Sequence, residues 1–267
     1  MIGAIIGDYV GSAYEFANTK DYNFQLITPE SDITDDSIMS IAIAHAICEG
    51  KSYESSMRYW GNKYPNPKGS YGGSFGAWLR SENPQPYNSW GNGAAMRVSA
   101  IGWAFETLEE VQREAQRSAM CTHNHSEGIK GAMAVASAIY FVRMGKSKEE
   151  LKQYIETNFG YNLSRKTADI RPTYQFNESC QGTVPEAIIC YLESSCFVDA
   201  IRLAVSLGGD SDTLACITGS IAEAESSCAI PTELLKATLT SLPTELRNEL
   251  SKFIYTYRCN VGNLSMY

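Results

Sequence analysis

Apolar residues recur at three- and four-residue steps along most of this chain, and no convincing run alternates apolar with polar residues over a strand's length. The first pattern lays a band of side chains along one side of a helix, whereas the second is what a half-buried strand requires. Helical spacing covers residues 2–16, the run from Ile38 to Gly50, and 53–64, 108–120 and 128–144. It returns in 148–159, from Gln181 through Leu192, in 197–207, after Asp210, and in 231–239 and 243–256. Ten to thirteen helices are expected, in an all-α fold forming one compact domain over residues 1–267.

Composition narrows the function classes. Hydrophobic residues make up 44% and charged residues 19%, which suits a folded globular chain and excludes a disordered one. The net charge is −8 with no basic run, so no general nucleic-acid surface is expected. A small anion could still be held by backbone N–H groups or a metal. The eight cysteines are scattered and form no C-x-x-C pair, which reads as free thiols in a reducing compartment. No basic leader precedes the first apolar residues, and no run approaches the ~20 apolar residues of a membrane span. A cytoplasmic monomer with no membrane partner is expected.

Two helix starts carry more acid than a helix end can use. Gly208-Gly209-Asp210-Ser211-Asp212-Thr213 runs into apolar residues at 214, 217 and 221, and Thr34-Asp35-Asp36-Ser37 runs into Ile38. One carboxylate caps a helix; two with a hydroxyl beside them resemble the ligands of a hard cation. If the two starts face each other, their oxygens could surround one or two divalent cations, and an oxygen-only set selects Mg²⁺, Mn²⁺ or Ca²⁺ over zinc. In the small-residue helix read over 2–16, Asp8 and Glu15 lie two turns apart on one face and need partners there.

Two glycine-rich stretches, Tyr71–Gly76 and Asn88-Ser89-Trp90-Gly91-Asn92-Gly93, read either as plain turns or as a cradle for a diphosphate with an aromatic nearby. His123 and His125 fall in one turn ahead of a long helix. They are poor metal ligands at that spacing, and each either contacts a ligand or caps the helix.

Taken together, Gly7-Asp8-x-x-Gly11-x-x-x-Glu15, Thr34-Asp35-Asp36-Ser37, Gly91-Asn92-Gly93-Ala94-Ala95-Met96-Arg97, Thr122-His123 and Gly208–Thr213 resemble, in order, the motifs of the ADP-ribosylglycohydrolase family. The resemblance implies an all-helical domain with two Mg²⁺ or Mn²⁺. It implies Glu15, Thr34, Asp35, Asp36, Asp210, Asp212 and Thr213 as metal ligands. Asn88, Ser89, Trp90, Gly91, Asn92 and Gly93 would form the loop for diphosphate and ribose, His123 would be a further ADP-ribose contact, and Asp8 would be structural. The implied activity is hydrolysis of the glycosidic bond between ADP-ribose and a modified acceptor. Such a step builds oxocarbenium-like charge on the ribose while water attacks, and Glu15 or Asp35 would take the water's proton. The alternative is a non-catalytic ADP-ribose-binding or crystallin-like structural protein on the same scaffold. Ser89, where some bacterial relatives carry an acid, leaves the choice of general base open, and Ser126, where close relatives often have Pro, together with Glu225-Ser226-Ser227-Cys228 in place of a commonly aromatic stretch, leaves the acceptor open.

Overall fold

The computed structural model describes residues 1–257 and residue 259. The expected domain of 1–267 thus includes residues 258 and 260–267, which lie outside the described residues. Among the described residues fifteen helices follow one another: α1 (Ile2–Gly11), α2 (Asp35–Glu49), α3 (Tyr53–Lys63), α4 (Gly73–Arg80), α5 (Gly93–Met96), α6 (Ser99–Ala104), α7 (Leu108–Met120), α8 (Ser126–Arg143), α9 (Lys148–Phe159), α10 (Thr167–Ile170), α11 (Cys180–Glu193), α12 (Phe197–Val205), α13 (Ser211–Ala222), α14 (Thr232–Ser241) and α15 (Thr244–Tyr257). Among the described residues there is no strand, only two isolated bridges, Thr34 with Lys68 and Gly91 with Ser179. The all-α expectation holds. The helix count exceeds it because α4, α5, α6 and α10 span 8, 4, 6 and 4 residues, too few for a period to stand out.

Every residue of α1 and of α13 is buried, so this pair forms the centre of the molecule. Glycines at every fourth position of α1 allow the two backbones to touch. A Cβ on Gly7 would lie 2.0 Å from the Ala215 carbonyl oxygen, and one on Gly11 would lie 2.4 Å from that of Ser211. Around this axis α11 and α12 pack on α13, α2 packs on α1 and α3, and α8 lies against α5, α6, α7 and α11. Large side chains such as Ile5, Ile6, Ile41 and Phe197 are fully removed from water, each contributing ~1.5–3 kcal/mol.

The ends of α2 follow the sequence chemistry. Thr34 caps the start by accepting from the Asp36 N–H at 3.2 Å, and Gly50 closes the helix in the left-handed conformation with φ 62°. One expectation fails here: α1 ends at Gly11, so Glu15 does not share a helix face with Asp8. Bonds outside the helical pattern replace the next turn. The Tyr14 N–H turns back to the Gly11 carbonyl, the Tyr14 phenol donates to the Gln25 carbonyl at 2.6 Å, and Asn18 Nδ2 reaches the Tyr14 and Glu15 carbonyls at 2.7 Å each.

Candidate active site

Two helix N-termini open onto one cavity of about 480 Å³, a size suited to a small ligand. Its acidic side is lined by Glu15, Asp35, Asp36, Asp210, Asp212 and Thr213. Helix α1 positions both starts. Asp8, fully buried, accepts from the Thr34 N–H at 3.0 Å, the Thr34 hydroxyl at 2.8 Å, the Ser37 N–H at 3.0 Å and the Ser37 hydroxyl, and so pins the beginning of α2. Gly11 brings the beginning of α13 against the other end of α1. The two starts then meet, with the Thr213 hydroxyl donating to Asp36 Oδ1 at 3.3 Å.

The turn carrying Glu15 is tied to the turn before α13. Asn18 Nδ2 also reaches the Gly209 carbonyl at 2.9 Å, and the Gly209 N–H donates to Asn18 Oδ1 at 2.6 Å. Gly208 and Gly209 are both left-handed, with φ 73° and 75°, which a side chain would strain. In this way Glu15, Asp210 and Asp212 bring carboxylate oxygens within 4.8 Å of one another.

These acids are poorly neutralised. Burial first and neighbouring carboxylates second push Glu15 up to about 8, and the same causes raise Asp35, Asp36 and Asp212 well above the usual range. Asp210 rises only to about 6, because hydrogen bonds from Asp212 and Asn92 offset part of its burial. Glu15 Oε2 and Asp36 Oδ2 are buried without a hydrogen-bond partner. Hard oxygen donors with free lone pairs and unfavourable charge suit a divalent cation. Thr34 is buried and does not line the cavity; its hydroxyl is engaged by Asp8 and the Asp36 N–H.

The glycine loop forms another part of the lining. Ser89, Gly91, Asn92 and Gly93 line the cavity, whereas Asn88 and Trp90 face an adjoining recess that they share with Tyr87 and Phe176. The loop is clamped from behind: the Asn92 N–H donates to the Glu178 carbonyl at 2.7 Å, and the Cys180 N–H donates to the Trp90 carbonyl at 2.9 Å. Asn92 Nδ2 reaches Asp210 Oδ2 at 2.6 Å, joining the loop to the acids. The Tyr71–Gly76 stretch also reaches the cavity, through Tyr71, Gly72, Gly73 and Ser74.

The two loop histidines divide the alternatives between them. His125 accepts from the Glu127 N–H at 3.1 Å and caps α8, while His123 lines the cavity. Three contributors escaped the sequence reading. Asn18 gave no signal beforehand, and Phe176 shows only as an aromatic in a loop. Arg97, a lone cation within the run Ala94–Ile101, was readable in principle as a buried charge.

Fold and site together define a class: all-helical proteins with an acid-lined cavity between facing helix starts. The chain belongs to the ADP-ribosylglycohydrolase family, whose sequence model matches residues 1–258. It is 28% identical over 302 aligned residues to human ADP-ribosylhydrolase ARH3, covering 84% of this chain and 83% of that protein. The bovine ADP-ribosylhydrolase ARH3 is 25% identical over 305, with 84% and 83% covered. A solved structure described as an ADP-ribosylglycohydrolase-related protein complex superposes with a TM-score of 0.75 over 96% of both chains. At 19% identity that likeness speaks for the fold alone.

Proposed function

We propose that the protein hydrolyses the glycosidic bond between ADP-ribose and a modified acceptor, releasing free ADP-ribose, with two divalent cations, Mg²⁺ or Mn²⁺, resident in the site. The observation that carries this reading is one cavity lined both by crowded carboxylates and by a glycine loop. Glu15, Asp35, Asp36, Asp210, Asp212 and Thr213 would hold the cations, while Thr34, expected as a ligand, instead spends its hydroxyl on Asp8 and the Asp36 N–H and anchors the start of α2. When bound, such ions orient ribose hydroxyls and acidify water.

The chain's own groups do the rest. Asn92 fixes the orientation of Asp210 and links it to the loop. The glycines at 91 and 93 let a diphosphate approach the backbone closely, and the Ser89 hydroxyl, which accepts from the Gly91 N–H at 3.0 Å, keeps its own proton to give beside them. Glu15, with one free carboxylate oxygen, or Asp35 accepts the proton of the attacking water.

The test is a panel of ADP-ribosylated protein, DNA, RNA and small-molecule substrates, with and without Mg²⁺, read by release of free ADP-ribose. Asp36→Ala and Asp210→Ala are expected to abolish release. A purified protein that binds no divalent cation in calorimetry overturns the mechanism. Tight ADP-ribose binding without turnover would favour the non-catalytic alternative, and AMP as product would mean a phosphoesterase.

A further inference from the structure

Arg97 is a guanidinium 1% exposed that lines the cavity, yet its described hydrogen bonds go to neutral oxygens: Nη2 donates to the Ser118 carbonyl at 3.0 Å and to the Thr122 hydroxyl at 2.8 Å. Guanidinium only donates, so the Thr122 oxygen is the acceptor in that bond. The hydroxyl keeps its own proton to give, and His123 Nδ1 lies 2.7 Å away. The Tyr87 phenol, beside the same hydroxyl, is the competing acceptor; burial pushes it up to about 12, so it stays protonated, and its oxygen accepts less well than an imidazole nitrogen. The chain of donation therefore runs from Arg97 through Thr122 to Nδ1, each bond polarising the next.

If Nδ1 accepts, the ring proton sits on Nε2. That nitrogen faces the glycine loop: a Cβ on Gly91 or on Gly93 would lie 3.3 Å from it. Burial and the neighbouring Arg97 hold His123 well below its ordinary pKa, so the ring is neutral. A neutral ring can donate from only one nitrogen, which makes the choice of tautomer the choice of function.

We propose that Arg97 and Thr122 are positioning residues that lock His123 as the Nε2–H tautomer, presenting a donor to an anionic oxygen of the bound diphosphate. The inference rests on the reading of the cavity as an ADP-ribose site. It gives the buried cation two tasks, setting the tautomer and placing positive charge behind the phosphates.

The full-length protein with Mg²⁺, ¹⁵N-labelled at its three histidines, tests it directly. The imidazole spectrum is expected to show His123 as Nε2–H without titration between pH 6 and 8. Thr122→Val, which keeps the shape and removes the hydroxyl, is expected to yield mixed tautomers and about tenfold weaker ADP-ribose binding, and Thr122→Ser is expected to restore both. Wild type in the Nδ1–H form, or Thr122→Val with an unchanged tautomer, overturns the inference. Wild type in the Nε2–H form that binds no ADP-ribose instead overturns the proposed substrate and, with it, the diphosphate as the group addressed.

Discussion

Asp8 shows how a single side chain sets up chemistry it does not perform. Its two oxygens take four donors from Thr34 and Ser37, and those bonds fix where Asp35 and Asp36 stand. Asp8→Ala strands these donors in the core, with an expected loss of ~3 kcal/mol in thermal or urea unfolding and weaker Mg²⁺ binding in calorimetry. A variant of wild-type stability and Mg²⁺ affinity would remove Asp8 from the account. At this scale the sequence was readable wherever residue type alone limits the role: an excess of acids at a helix start, or an acid on an apolar helix. It was silent where the role depends on a distant partner. Asn18 acts through Gly209, 191 residues away, and which of His123 and His125 reaches the cavity depends on the path of the loop between α7 and α8.

At the scale of elements, the contact between α1 and α13 governs the geometry. Gly7→Ala would place a methyl group against the Ala215 carbonyl, where backbone rather than a flexible side chain must yield. A loss of ~3 kcal/mol or more, or failure to fold, is expected in chemical denaturation. Gly73→Ala, which meets nothing within 4 Å, is the matched control expected to unfold like wild type. The small-residue spacing of the first helix announced this packing, and the acidic starts of α2 and α13 were legible from composition and order. The end of α1 was not, because no local residue stops it: the tether of Tyr14 to Gln25 and the reach of Asn18 do.

For the whole molecule, the charge of the site couples stability to cations and pH. Glu15, Asp210 and Asp8 hold their protons to about 8, 6 and 6 in the metal-free fold, against 4.5, 3.8 and 3.8 ordinarily. Between those limits the folded state binds more protons than the unfolded one, so stability falls as pH rises. With chelator present, the melting temperature is expected to drop from pH 5 to pH 8, and saturating Mg²⁺ is expected to raise it most at pH 8. A chelated protein that grows steadily more stable over that range would contradict the crowding of these acids.

The central pairing of α1 with α13 also bears on how the chain comes to exist. Helix α1, buried along its whole length, finds its partner only when residues 211–222 have been made. Asp36 and Thr213, which meet in the finished molecule, are 177 residues apart. Until then α1 is exposed to misassembly, and the growing chain depends on shelter from chaperones or on provisional contacts. A chain cut between α2 and α13 leaves Glu15, Asp35 and Asp36 on one piece and Asp210, Asp212 and Thr213 on the other, so the acid-lined cavity exists only when both pieces fold together.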